Sequence, residues 1–227
     1  LACFSISCGV SNRTINNISS KPIVLTTFTI LADLASNVAG DRIEVKSITK
    51  RGAEIHGYQP TPSDLVKVDD ANLIIENGLG LELWARKFTN SAGNVPSIVL
   101  SQGMKPLLIE SDTYAGKPNP HVWMSPRRTI KYVDKLVNAF SDLDPEGREI
   151  FKENGNIYKD KLLKLDMELR RALSTIPLSK RVLVTCEGAF SYLASDYGLK
   201  EGYLWPVNAE SQVTPRRMLN LIEFIKK

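Results

Sequence analysis

The chain has 227 residues, 43% hydrophobic and 24% charged, an ordinary globular balance with enough length for one large domain or two small ones. Its formal charge of +4 comes from Lys and Arg scattered among acids, and aromatic residues do not alternate with basic ones, which argues against a nucleic-acid partner. No apolar run approaches the roughly 18 residues needed to span a bilayer.

Leu1-Ala2-Cys3 has the pattern that ends a bacterial lipoprotein signal, a small residue before the cysteine that takes the lipid; Ser7-Cys8 is a second candidate. Residues 1–22 then read as a polar tether, the plainer alternative being a frayed terminus with two cysteines. Residues 23–28 read as a buried strand. Ile30, Leu31, Leu34 and Val38 follow at helical spacing, and Gly40 ends that helix. A second strand spans 43–48, and His56 lies in the loop after it. Thr61, Pro62 and Asp64 mark the start of a helix reaching about residue 70. A third strand at 73–75, a helix at 81–88 and a fourth strand at 98–100 complete a β-α-β-α-β-α-β series, which predicts a parallel sheet flanked by helices.

His121 sits in the next loop. Ser125 reads as a cap, Pro126 as the first helical residue, and Ile130, Val133, Leu136, Val137 and Phe140 as the buried face. Asp144-Pro145 opens a long helix to about residue 176, with Leu162, Leu165, Leu169, Leu173 and Ile176 as its stripe. Its length suits a spine between two lobes, a long helix packed on one domain being the alternative. A second unit starts with a strand at 182–185, a helix at 189–197 ended by Gly198, a strand at 203–207 and a last helix from Thr214-Pro215. The expected architecture is therefore α/β. A tether covers 1–22, a first lobe 23–144, a linking helix 145–176, and the start of a second lobe 177–227. That lobe offers two strands against four and reads as incomplete. Cys186, the odd cysteine, is either free and buried or paired outside the chain.

The two histidines are the only ones in the chain, and both lie in Pro-rich loops after an apolar run and before a helix start. Imidazole is a common metal ligand, and a stiff loop lowers the entropy cost of holding it. In open α/β sheets ligands bind beyond the carboxyl ends of strands. His56 follows the second strand, His121 the fourth, and Glu187 the first strand of the second unit. Taken alone, Glu187 reads as a carboxylate favoured by a helix start. Together the three make a mixed nitrogen/oxygen site, without the cysteine spacing of a zinc finger. By geometry such a site suits Mn²⁺ or Fe²⁺ better than Zn²⁺, although intrinsic affinity favours Zn²⁺ over Mn²⁺. A fourth ligand, another carboxylate, is needed.

Three stretches carry a resemblance. Glu54-Ile55-His56-Gly57-Tyr58-Gln59-Pro60-Thr61-Pro62-Ser63-Asp64, Asn119-Pro120-His121-Val122-Trp123-Met124-Ser125-Pro126 and Glu187-Gly188-Ala189-Phe190-Ser191-Tyr192 resemble the metal-binding lipoproteins of bacterial ABC transporters for manganese, zinc or iron. Tyr203-Leu204-Trp205-Pro206-Val207-Asn208-Ala209-Glu210 is most similar to the manganese-binding members from cyanobacteria. The resemblance implies two α/β lobes joined by a rigid helix, with the metal between them. It implies His56, His121 and Glu187 as metal ligands and an aspartate beyond residue 227 as the fourth. Zinc-selective members have a third histidine where this chain has Glu187, and often a His-rich loop.

The expected function is capture of Mn²⁺ as cargo, with Zn²⁺ or Fe²⁺ as alternatives, by a monomer outside the cytoplasm. A lipid on Cys3 or Cys8 would anchor it, and an ABC permease would receive the ion. No catalysis is expected. The rival reading is a metallohydrolase built on the same three ligands, which needs an open coordination position and a general base such as Glu54 or Glu210.

Overall fold

The computed structural model describes residues 21–85, 95–110, 112–207 and 213–226. Cys3, Cys8 and nearly all of the expected tether lie outside them. The first sheet contains β1 (Ile23–Thr26), β2 (Glu44–Ser47), β3 (Leu73–Glu76) and β4 (Ser97–Val99), all parallel and in the order β2-β1-β3-β4. The second pairs β5 (Val182–Glu187) in parallel with β6 (Lys200–Trp205). Between them run α1 (Thr29–Ala39), α2 (Pro62–Asp69), α3 (Pro126–Leu143), α4 (Arg148–Ser174) and α5 (Ser191–Tyr197), and α6 (Pro215–Lys226) follows β6. None of the helices among the described residues is long and apolar enough to cross a membrane.

The apolar runs become buried strands because both faces of the first sheet are covered. Successive side chains point to opposite faces. Val24, Leu73 and Ile75 join a core with α1, α3 and α4, while Leu25 and Ile74 join a second core with Val68 of α2.

Three sequence expectations need correction. The helix expected over 81–88 begins instead as turns through residue 85; 86–88 lie outside the described residues. Gly78, Leu79 and Gly80 all have positive φ, so the chain leaves β3 through a tight bend. The carboxylate of Glu82 folds back under this bend. Its Oε1 accepts the Asn77 N–H at 2.5 Å and the Thr27 hydroxyl at 2.9 Å, and Oε2 accepts the Gly78 N–H at 3.0 Å.

The second correction concerns α4, whose 27 residues span about 40 Å. Its inward line is Phe151, Gly155 and Asp166, all buried, with the partly buried Tyr158 and Leu162 between them, whereas Leu165 is exposed. Hydrophobicity alone misses this line because two of its members are a glycine and an acid. A Cβ on Gly155 would stand 2.4 Å from Cγ2 of Val137, so the glycine permits the close approach of α3. Asp166 accepts from Tyr197 at 2.8 Å and from Arg170 at 3.0 Å, which joins the far end of the helix to the second unit. Third, Ser125 stands at the N-cap of α3 but makes no capping bond. Its hydroxyl donates instead to Asp196 of α5 at 2.7 Å.

Glu82 supports a stability prediction. Burial pushes its carboxyl up to about 7, against three hydrogen bonds that lower it. Glu82→Ala is expected to cost about 3 kcal/mol, because two backbone N–H groups and a hydroxyl lose their buried acceptor. The folded value lies above the ordinary 4.5, so the folded state binds the extra proton between the two values. The gap between wild type and variant should therefore be widest below pH 4.5 and narrow as pH rises through about 7. Urea unfolding of both proteins across that range measures it; a gap that widens with pH contradicts the assignment.

Candidate metal centre

Three connections bring the expected ligands together. His56 lies between β2 and α2, on a loop pinned from both sides. The indole N–H of Trp84 donates to the Ile55 carbonyl at 2.8 Å, and the His56 N–H donates to Glu54 Oε1 at 2.9 Å. Tyr58 packs edge-on against Trp84 at 4.9 Å and donates its hydroxyl to Asp64 at 2.9 Å. The same Asp64 oxygen takes the Thr61 N–H at the start of α2. Burial raises the Asp64 carboxyl, but hydrogen bonds from Lys67, Thr61 and Tyr58 outweigh it and hold the group at about 2. Ionised Asp64 can then accept from every donor around it.

His121 ends the long connection after β4 and rests on the carboxyl ends of β1 and β3. Asn77, directly after β3, donates from Nδ2 to the Pro120 carbonyl at 3.0 Å and accepts from Tyr132 at 2.6 Å. Trp123 packs between the His121 ring, at 5.3 Å, and Phe28 just past β1, at 5.1 Å. Glu187 is the last residue of β5. The next residue must be small, since a Cβ on Gly188 would stand 2.7 Å from the Pro206 carbonyl oxygen.

The three side chains meet. His56 Nε2 and His121 Nε2 are 3.2 Å apart, and Glu187 Oε1 lies 3.4 Å from the first and 3.6 Å from the second. Among the described residues this is the only cluster of three or more His, Cys, Asp or Glu with such spacing. A point about 2 Å from all three atoms exists, the length of a first-row metal bond. Three donors on one face of a tetrahedron with such bonds are about 3.4 Å apart, and on an octahedral face about 3.0 Å, so the observed triangle is closer to the tetrahedral one. Burial pushes the His121 imidazole down to about 4; Glu187 opposes that shift and His56 adds to it. His121 is therefore uncharged at neutral pH, and no proton competes for its ring nitrogen.

Fixed contacts hold the second unit in place beside the histidines. Arg128 of α3 makes two 2.7 Å hydrogen bonds to Asp196 of α5, in the forked geometry typical of strong pairs. Its guanidinium also lies over the Tyr192 ring at 4.7 Å. The Tyr192 hydroxyl donates to the Asn119 carbonyl at 2.6 Å and accepts the Leu107 N–H at 3.1 Å. Since α5 begins four residues after Glu187, these bonds fix where that carboxylate can reach.

Sequence reasoning singled out all three members of the cluster and missed the residues that place them. Trp84, Asn77, Arg128 and Asp196 carry no local signal, because their partners lie far away in the chain. Asn119 had one: an Asn-Pro step two residues before a histidine favours a side-chain bond to the following backbone N–H. Glu54, the candidate base of the hydrolase reading, is exposed and accepts the His56 N–H; Glu210 lies outside the described residues.

Residues 24–227 match the family model described as "Zinc-uptake complex component A periplasmic". The chain is 50% identical over 204 residues to the "Iron-binding protein YfeA" of Yersinia pestis, covering 90% of this chain and 66% of that protein. It is 35% identical over 216 residues to the "Manganese ABC transporter substrate-binding lipoprotein PsaA" of Streptococcus pneumoniae, covering 92% and 70%. The solved structure of a Mn-bound periplasmic metal binding protein from Candidatus Liberibacter asiaticus superposes with a TM-score of 0.82 at 32% identity, covering 90% of this chain and 76% of that one. The chain thus spans about two thirds of the length of the curated relatives it matches. None of these three is cyanobacterial, so the likeness read from residues 203–210 gains no support from them. With its two parallel sheets, its long joining helix and a family match over nearly its whole length, this chain belongs to the ZnuA family of periplasmic metal-uptake components.

Proposed function

We propose that this protein captures a divalent first-row metal ion outside the cytoplasm and delivers it to an ABC permease, with His56, His121 and Glu187 as ligands. The observation that carries the reading is the convergence of these three donor atoms, within 3.2–3.6 Å of one another, from two loops of the first unit and the end of β5 in the second. We take Mn²⁺ as the first cargo, because a carboxylate that uses both oxygens raises the coordination number beyond what Zn²⁺ usually accepts. A fourth, carboxylate ligand completes the site in this reading. Fe²⁺ or Zn²⁺ is the second reading, favoured by the near-tetrahedral spacing and by the 50% identical relative whose name specifies iron. The name of the Streptococcus pneumoniae relative includes "lipoprotein", which supports a lipid on Cys3 or Cys8 as the membrane anchor. The ion is cargo and leaves unchanged, so the proposed role involves no catalysis.

The test is titration of the protein with Mn²⁺, Fe²⁺ and Zn²⁺, followed by thermal unfolding and pairwise competition. Binding to the folded state alone raises stability by about 2.7 kcal/mol at a free-ion concentration one hundred times Kd. We expect one ion per chain and a clear rise in Tm. Absence of saturable binding for all three ions overturns the reading; tighter retention of Fe²⁺ than Mn²⁺ moves the cargo to iron.

A further inference from the structure

We propose that Asn119 is a positioning residue: its single carboxamide sets the tautomer of His121 and ties that ring to the turn carrying Glu187. This rests on the ligand set proposed above. Asn119 is buried, 3% exposed, and its amide makes four hydrogen bonds. Oδ1 faces the His121 backbone N–H at 3.0 Å and His121 Nδ1 at 2.8 Å. Nδ2 faces the Gly188 carbonyl at 2.8 Å and Ser191 Oγ at 3.2 Å.

Two of these partners cannot change role. A backbone N–H only donates, and a backbone carbonyl only accepts. They fix the amide with its oxygen toward His121 and its nitrogen toward Gly188. Turning it over would set Nδ2 against the His121 N–H and Oδ1 against the Gly188 oxygen, both buried. With the oxygen facing it, His121 Nδ1 must carry the hydrogen. Nε2 is then bare, and Nε2 is the atom that faces His56 and Glu187. The Gly188 carbonyl, adjacent to Glu187, thereby helps decide which nitrogen of His121 is free for a metal. The ring tautomer and the placement of the second unit are coupled through one side chain. Outer partners that orient a ligating imidazole typically govern metal affinity in this way.

The test begins with the unaltered, metal-free protein. Nitrogen-detected imidazole spectra at pH 8 should show His121 protonated at Nδ1 and bare at Nε2; the opposite tautomer overturns the proposal. Two variants then separate the two halves of the bridge. Asn119→Asp keeps an acceptor for His121 but loses both donors and repels the Gly188 carbonyl. It should retain the tautomer and release Mn²⁺ to a chelator about tenfold faster. Asn119→Ala loses both halves and should weaken Mn²⁺ binding by about 10–100-fold, with the tautomer no longer uniform. His121→Ala is the control. If it binds Mn²⁺ like the wild type, the ligand set itself fails. If it loses Mn²⁺ while both Asn119 variants hold and release the ion as the wild type does, the ligand set stands and the role of Asn119 fails. Should Asn119→Ala not fold, the wild-type tautomer and the aspartate variant still decide.

Discussion

His121→Ala is expected to weaken Mn²⁺ binding by more than the roughly 100-fold that loss of an outer-shell partner can cost. The residue is 3% exposed and its ring supplies an uncharged nitrogen at neutral pH, so an ion can bond to it without first displacing a proton. No other described histidine can replace it, because His56 is the only other one in the chain and is already in the cluster. His56→Ala should lose binding to a similar degree. Both metal-free variants should stay folded. The His56 loop keeps its bonds through Trp84 and Asp64, and the His121 loop keeps those through Asn77 and the His121 backbone N–H. Calorimetric titration gives the affinities and circular dichroism the fold. Variants that unfold without metal would show that these are packing histidines.

Exchanging Glu187 should alter which ion is preferred. Glu187→His replaces a charged oxygen donor, with a second oxygen in reserve, by one neutral nitrogen. That lowers the coordination number available and shifts the site toward Zn²⁺. We expect the Zn²⁺/Mn²⁺ preference to rise by on the order of tenfold or more, about 1.4 kcal/mol. Glu187→Gln keeps an oxygen and loses the charge, so its effect on Mn²⁺ should be smaller than that of removing a histidine. The Glu187 side chain is 25% exposed, so solvent screens part of its attraction for the cation. Competition must be run at fixed pH, since protons compete with metal for the ligands. An unchanged ratio in Glu187→His would remove Glu187 as the determinant of selectivity and leave the transport reading intact.

The elements most legible in the sequence are those whose signal is local. Residues 23–28 and 73–75 read as strands because a sheet covered on both faces needs unbroken apolar runs, and β1 and β3 lie there. The start of α2 was legible from Thr61, Pro62 and Asp64, since a cap is a contact between near neighbours. The same logic misled at Ser125, whose hydroxyl had a better partner 71 residues away. It misled again on α4, where the true contact line passes through Gly155 and Asp166. A periodicity search weighs a residue by its own hydrophobicity and cannot see that a glycine makes room or that an acid has a buried donor waiting.

The three residues of the site divide in the same way. His56, His121 and Glu187 could be picked out as candidates from sequence because metal-ligating side chains are of a few residue types and an open α/β sheet restricts where a ligand binds. Their separations, and the charge state of His121, were decided by the tertiary structure. Burial sets the charge state; the separations depend on the Arg128–Asp196 pair, the Tyr192 hydroxyl and the Asn119 amide, which join residues 68 to 85 positions apart in the chain. Bonds of that reach have no local pattern, because each partner is chosen by the packing of helices and sheets. The sequence by itself determined which side chains of metal-ligating type stand near the ends of strands in an α/β fold. Only the folded chain brings His121 Nε2, His56 Nε2 and Glu187 Oε1 to within 3.6 Å of one another, since that distance is set by contacts between the two units.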